Sequence, residues 1–357
     1  MVSKEGEEKL KRVFAILYLL CASLISLWCV VKSIAPLLPV FATIPRPEQV
    51  ELLFVGDVMV HEPQLPVAQR ANGYDFNSYF KYVKPQFDAA DCVIANLETT
   101  LGTTPPYRGY PCFKSPAELA DALAVAGVDI AVTANNHCLD SGKSGVESTL
   151  NILRNRGITP IGTTPEAAVR FTIKGINFAL LAYTYGTNGI PTPDGVTVHG
   201  IDTLQMRRDI ESCADADCRI AFVHWGAEYT HRPDHQQRTV ADFLHRAGCQ
   251  VVIGSHPHTV HRAECSKRAV TVYSLGNFVS NQRRRYSDGG VMAKLMVEKD
   301  SVGCSYQLDI KPVWVHKRDG YAIVPQPIAD TLKLNSEERA EADIFFDDTY
   351  KILTSQF

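Results

Sequence analysis

The stretch "CQVVIGSHPHTVH", residues 249–261, decides how the rest of the chain is read. Val251, Val252 and Ile253 form a short β-branched run closed by Gly254, the pattern of a buried strand with a turn at its end. His256 and His258 follow two residues apart. If the extended backbone continues, side chains alternate with a period of two, so both imidazoles face the same way at the strand's mouth. Imidazole is the commonest protein metal ligand, but a lone His-x-His has many other uses, so the remaining strands must decide.

They do so by repetition. "VELLFVGD" ends in Gly56 and Asp57, "DCVIANLE" in Asn96 and Glu98, and "DIAVTANNH" in Asn135, Asn136 and His137. "CRIAFVHWG" delivers His224, and "FALLAYTYG" and "AVTVYSLGNF" read as further strands. Between them lie the helical patterns "SPAELADALAVAGV", with Ser115 as cap, "GVESTLNILRNRG" and "HQQRTVADFLHRAG". Strands separated by helical lengths predict an α/β fold. In open α/β sheets ligands sit beyond the carboxyl ends of the strands. Five strand ends here bring Asp57 with His61, Asn96 and Glu98, Asn136 and His137, His224, and His256 and His258 to one rim. A mixed field of imidazole, carboxylate and amide suits Zn, Mn or Fe better than a thiolate site does.

Composition bounds the alternatives. The 357 residues are 45% hydrophobic and 21% charged, an ordinary globular balance. A net charge of −3, spread over both signs, leaves no basic footprint for nucleic acid, which we exclude as a partner. The amino terminus differs in kind. Residues 13–31, "VFAILYLLCASLISLWCVV", carry no charge, and their length covers a bilayer core as one helix. Lys4, Lys9, Lys11 and Arg12 precede it, so the positive-inside tendency keeps residues 1–12 in the cytoplasm and sends the remainder outside. A cleaved signal peptide is the competing reading, but this apolar run is long for one. The expectation is a single-pass cell-membrane protein with an extracytoplasmic domain. Residues 32–50, with Pro36, Pro39, Pro45 and Pro47, read as a stiff linker. Residues 51–325 form the main domain and 326–357 a helical extension. Outside the cytoplasm disulfides are permitted, and Cys213 with Cys218 is the expected local pair.

The motifs "GDVMVH", "NLET", "TANNH", "HWGAEY", "GSHPH" and "SLGNF" resemble the signature of the CapA-type capsule-synthesis proteins, associated with poly-γ-glutamate capsules. That family is similar in fold to the calcineurin-like metallophosphatases, so the resemblance implies a four-layer αββα sandwich. It also implies two divalent ions (Mn, Zn or Fe). Asp57 and His258 would serve the first, with His61 as a partner, Glu98 would bridge, and Asn136, His224 and His256 would serve the second. His137 would be the acid beside the substrate, oriented by Asp140. Two departures stand out. His61 lies four residues after Asp57 where the metallophosphatase pattern has Asp-x-His, and a glutamate stands where a bridging aspartate is usual.

Other residues complete the expected pocket. Asn96, Asn135, Trp225, Glu228, Tyr229 and Asn277 are candidate wall or substrate contacts, and Arg283 and Arg284 candidate grips for phosphate or carboxylate. His231 and His261 lie near enough in sequence to support the site from behind. Three functions remain open: a membrane-anchored metallohydrolase acting on a phosphoester or an amide of a surface polymer, a non-catalytic subunit that holds or guides polyglutamate beside other capsule-synthesis membrane subunits, and a metal-free binding module.

Overall fold

The computed structural model describes residues 4–34 and 48–355. The chain divides into two compact units, Met1–Pro47 and Glu48–Phe357. In the first, Lys4–Ile34 is one helix, and its stretch Glu5–Val30 is long and apolar enough to cross a membrane. The expected proline-rich linker falls mostly on residues 35–47, outside the described residues.

The second unit contains two large sheets. One has eight strands: Thr159–Ile161, Ile130–Val132, Cys92–Leu97 and Gln49–Val58 run parallel, and Gly289–Asp300, Gly303–His316 and Ala322–Pro325 continue it antiparallel. Asn277–Val279 pairs with the end of Gln49–Val58. The other sheet runs Ala263–Cys265, Val270–Val272, Val251–Ser255, Cys218–His224, Ile176–Thr184, Ala168–Ile173.

Side-chain parity assigns the layers. Leu52, Phe54, Cys92 and Ile94 face Leu180, Ile220, Phe222 and Ile253 in one core between the sheets. Leu53, Val55, Val93 and Ala95 point the other way, onto the helices Glu118–Ala126 and Gly142–Asn155. Leu181, Ala221, Val223 and Val252 cover the opposite outer face with the helices Thr203–Ser212 and His235–Ala247. At about 1.5–3 kcal/mol per fully buried large apolar side chain, each of these layers contributes substantially to stability. The architecture is therefore the expected four-layer αββα sandwich. The terminal helix Ser336–Thr354 starts at an Asn335 capping box and lays Phe345 and Phe346 against Trp314 and Val324.

Three local expectations are corrected. "AVTVYSLGNF" is not one strand: Gly276, at φ 70°, turns the chain so that Val270–Val272 and Asn277–Val279 join different sheets. Ser115 does not cap the following helix. It lies in the strand Lys114–Pro116 and hydrogen-bonds Thr99, and the helix begins after Ala117. Cys213 and Cys218 are both free, because Cys213 packs with Ala179 and Ala216 while Cys218 lies in the core between the sheets.

Candidate metal centre

A bulge makes the site. Val55 pairs with Ala95, but Asp57 pairs with Asn96, so Gly56 is an extra residue in the strand. Without it Asp57 would share the helix-facing side of Leu53 and Val55. The insertion flips it to the inter-sheet side, where Asn96 already points. Only glycine fits the bulge, since a Cβ there would stand 1.9 Å from the carbonyl oxygen of Gly276.

The other strand ends converge on the same place. His224 shares the inward parity of Ile220 and Phe222. His256 and His258 lie past the end of Val251–Ser255 at φ 98° and 59°, so left-handed backbone, and not strand alternation, aims them. Their rings are 5.9 Å apart. The donors fall into two groups, Asp57, Glu98 and His258, and Glu98, His224 and His256, each with its ligand atoms within 4.8 Å of one another. Glu98 belongs to both.

The hydrogen bonding fixes this set. Asn96 Nδ2 donates to Asp57 Oδ1 at 2.7 Å and to Glu98 Oε2 at 3.3 Å, holding the two carboxylates together. Asp57 Oδ2 lies 3.0 Å from His258 Nδ1. His224 Nε2 is 2.8 Å from Asn136 Oδ1, and its Nδ1 is 2.9 Å from the Ser255 hydroxyl. Glu98 Oε1 has no hydrogen-bond partner among the described residues, and stands 3.6 Å from His224 Nε2 and 3.9 Å from His258 Nε2. His256 Nδ1 is likewise buried without a partner among them.

Electrostatics favour a cation here. Burial, then the Asp57 charge, pushes the Glu98 carboxyl well above its ordinary range. Burial, then neighbouring imidazoles, holds His224 well below its own and lowers His256 to about 3. Neutral imidazoles keep their lone pairs for a metal, and a buried orphan carboxylate oxygen facing two of them is what a divalent ion satisfies. The residues present therefore fit the implied metal.

His137 stands beside this cluster, its Nδ1 2.7 Å from Asp140 Oδ2. The same oxygen accepts from the Phe113 backbone N–H at 2.5 Å, and Phe113 meets the His137 ring edge-on at 4.7 Å. The pair is thus locked in position.

Several expected residues take other places. His61 is not among the converging donors; its Nδ1 accepts from the Asn281 N–H at 3.3 Å and its ring packs on Phe113. Trp225, one residue past His224, has the opposite parity: it is buried in the outer core and donates to Tyr273 O at 3.0 Å, so it is no pocket wall. Asn96 and Asn135 are fully buried braces behind the donors, not substrate contacts; Asn135 donates to Leu97 O and accepts from the His137 N–H. Asn277 donates to Ser287 O and Gln282. Glu228 is exposed, Arg284 sits 4.4 Å over the Tyr229 ring, and Arg283 lies 5.9 Å from that of Tyr321. Sequence reasoning missed Tyr185, whose ring lies 4.6 Å from His256, and Ser255 and Asn188, which brace His224 and Asn136. Only Ser255 carried a signal, as the strand residue just before His256.

Residues 51–282 match the family model of the bacterial capsule synthesis protein PGA_cap. The chain belongs to the PGA_cap family. It is 26% identical over 294 residues to the PGA biosynthesis protein CapA of Bacillus subtilis (strain 168), covering 78% of this chain and 74% of that one. The Capsule biosynthesis protein CapA of Bacillus anthracis is 23% identical over 305 residues, covering 81% and 72%. Among solved structures, the NAD nucleotidase (NadN) of Haemophilus influenzae superposes with a TM-score of 0.46 at 11% identity, over 86% of this chain and 61% of that one. This PGA_cap chain thus spans about three-fifths of the nucleotidase's length.

Proposed function

We propose that this protein is a membrane-anchored, extracytoplasmic component of capsule polymer synthesis or export, acting on poly-γ-glutamate through a dinuclear, hydrolase-type metal centre. The observation that carries the reading is Glu98, shared by two donor groups with one oxygen unanswered. Asp57 and His258 with Glu98 would hold one ion, and Glu98 with Asn136, His224 and His256 the other. When bound, such ions act as Lewis acids on a phosphoryl or carbonyl oxygen and activate a water near neutral pH. Asp140 accepts a hydrogen bond from the His137 Nδ1–H and so aims Nε2 at the leaving nitrogen or oxygen, to which it would deliver a proton when the ring carries both. The likeness to relatives named for PGA and capsule biosynthesis supports the polymer as ligand. The apolar stretch 13–31 of the helix Lys4–Ile34, preceded by Lys4, Lys9, Lys11 and Arg12, supports the anchor and its orientation.

The test uses the full chain in detergent, loaded with Mn, Zn or Fe in turn and given poly-γ-glutamate, phosphodiester and phosphomonoester substrates. Metal-dependent cleavage should fall by about 10²-fold or more in His137→Ala while metal content is unchanged. No turnover with any metal or substrate would defeat the hydrolase reading and leave polymer handling.

A further inference from the structure

A cavity of about 360 Å³ is lined by the segment 101–114 and by the helix Gly142–Asn155. Arg108 and Lys114 are among its walls, with the hydroxyls of Thr103, Thr104, Ser144 and Ser148. No carboxylate lines it among the described residues, and Glu147, exposed between the two serines in sequence, is not one of the walls.

The two cations stand directly opposite each other. The Arg108 N–H donates to Lys114 O at 3.0 Å and the Lys114 N–H to Arg108 O at 2.9 Å, an antiparallel bridge that puts both side chains on one face. Like charges in that register repel. Neither has an ion-pair partner among the described residues: Lys114 Nζ donates to Thr104 O at 2.7 Å and lies 5.9 Å from the Tyr107 ring, and Arg108 Nε donates to Cys112 O at 3.3 Å. Backbone carbonyls take one donor from each and cancel no charge. The Lys114 stem crosses Gly102, where a Cβ would stand 2.5 Å from its Cε, so the glycine leaves room for the stem along the cavity wall. Two unanswered cations beside neutral hydroxyls, with no competing carboxylate, are the donor set of a compact oxyanion. The cavity also backs onto the acid pair. Lys114 follows Phe113, and Ser141, a further wall, follows Asp140, the two residues whose hydrogen bond locks His137.

We propose that this cavity binds a compact oxyanion, either free phosphate or a carboxylate of the polymer, between Arg108 and Lys114. Only the polymer as a source rests on the proposed function; the site itself uses none of the metal donors. The test titrates inorganic phosphate and a γ-glutamyl octamer into the full chain in detergent by isothermal titration calorimetry, at low salt and in EDTA. Because EDTA silences the metal centre, failure of the hydrolase reading leaves this outcome untouched. At least one ligand should bind, and Arg108→Gln and Lys114→Gln should each weaken it by about tenfold, the value of one charge-assisted hydrogen bond. Arg108 is exposed, so that variant should keep the parental melting temperature. Ser148→Asp, which sets a carboxylate among the walls, should abolish binding. Binding of phosphate marks the free anion as the source, and binding of the octamer without phosphate marks the polymer. Absence of binding by both ligands, or parental affinity in both cation variants, would overturn the site.

Discussion

Replacing Glu98 by glutamine should make the metal-free protein more stable and the metal-treated protein less so. Glu98 is fully buried, its Oε1 has no hydrogen-bond partner among the described residues, and it shares the Asn96 amide with the Asp57 carboxylate. A buried polar atom left unanswered costs about 1–3 kcal/mol. An amide in the Oε1 position would offer a donor to His258 Nε2, whose Nδ1 faces Asp57 Oδ2, and would end the repulsion with Asp57. At about 2 °C per kcal/mol for a domain of this size, the melting temperature in EDTA should rise by roughly 2–6 °C. With metal the order reverses. A ligand at about 100 times its dissociation constant stabilises the native state by about 2.7 kcal/mol, and Glu98→Gln should lose most of that by giving up the shared carboxylate. Differential scanning fluorimetry of both proteins, in EDTA and in Mn, Zn or Fe, reads all four states. A variant less stable than the parent in EDTA, or one gaining as much from metal, would refute the reasoning.

Two further substitutions probe the frame around the site. Gly254→Ala would put a Cβ 2.1 Å from Tyr273 O and 2.5 Å from Trp225 Nε1, contacts that backbone cannot easily relieve. We expect about 1–3 kcal/mol of destabilisation and weaker metal binding, since His256 lies only two residues on; a parental melting temperature and metal titration would contradict this. Asp288 is raised from 3.8 to about 6 by burial, partly offset by a hydrogen bond from its own backbone N–H and then by the Arg283 charge. A carboxyl whose folded-state value is raised weakens the fold as pH climbs from the unfolded value through the folded one, so its cost is fully present above about pH 6. Asp288→Asn should therefore stabilise by about 1–2 kcal/mol at pH 8 and by almost nothing at pH 4, with urea unfolding at the two pH values as the check. Equal effects at both would defeat it.

Much of the site was legible because each inward strand run stops at a polar residue: Asp57, Asn96, Asn136 and His224 announce themselves where hydrophobic alternation ends. Trp225 was expected as a pocket wall, although the parity that turns His224 inward puts its neighbour outward, into the core where it lies. The bulge at Gly56 was not legible, because one extra residue changes which face a strand presents without changing its hydrophobic pattern. Nor was the left-handed backbone at His256 and His258, which only tertiary packing imposes on residues other than glycine. Tyr185 and Asn188 come from a loop with no periodicity, and reach the site through contacts spanning tens of residues. The same holds for "AVTVYSLGNF", whose composition is strand-like throughout while Gly276 divides it between two sheets.

The central claim is that Glu98 is shared by two metal-binding groups. Its most direct test is metal content by plasma mass spectrometry, measured on the full chain in detergent after reconstitution with Mn, Zn and Fe, beside Glu98→Ala and the double variant His256→Ala, His258→Ala. The account predicts close to two ions per chain in the parent and fewer than one in either variant. A parent that stays empty with every metal, or a Glu98→Ala protein that keeps the parental content, would contradict it.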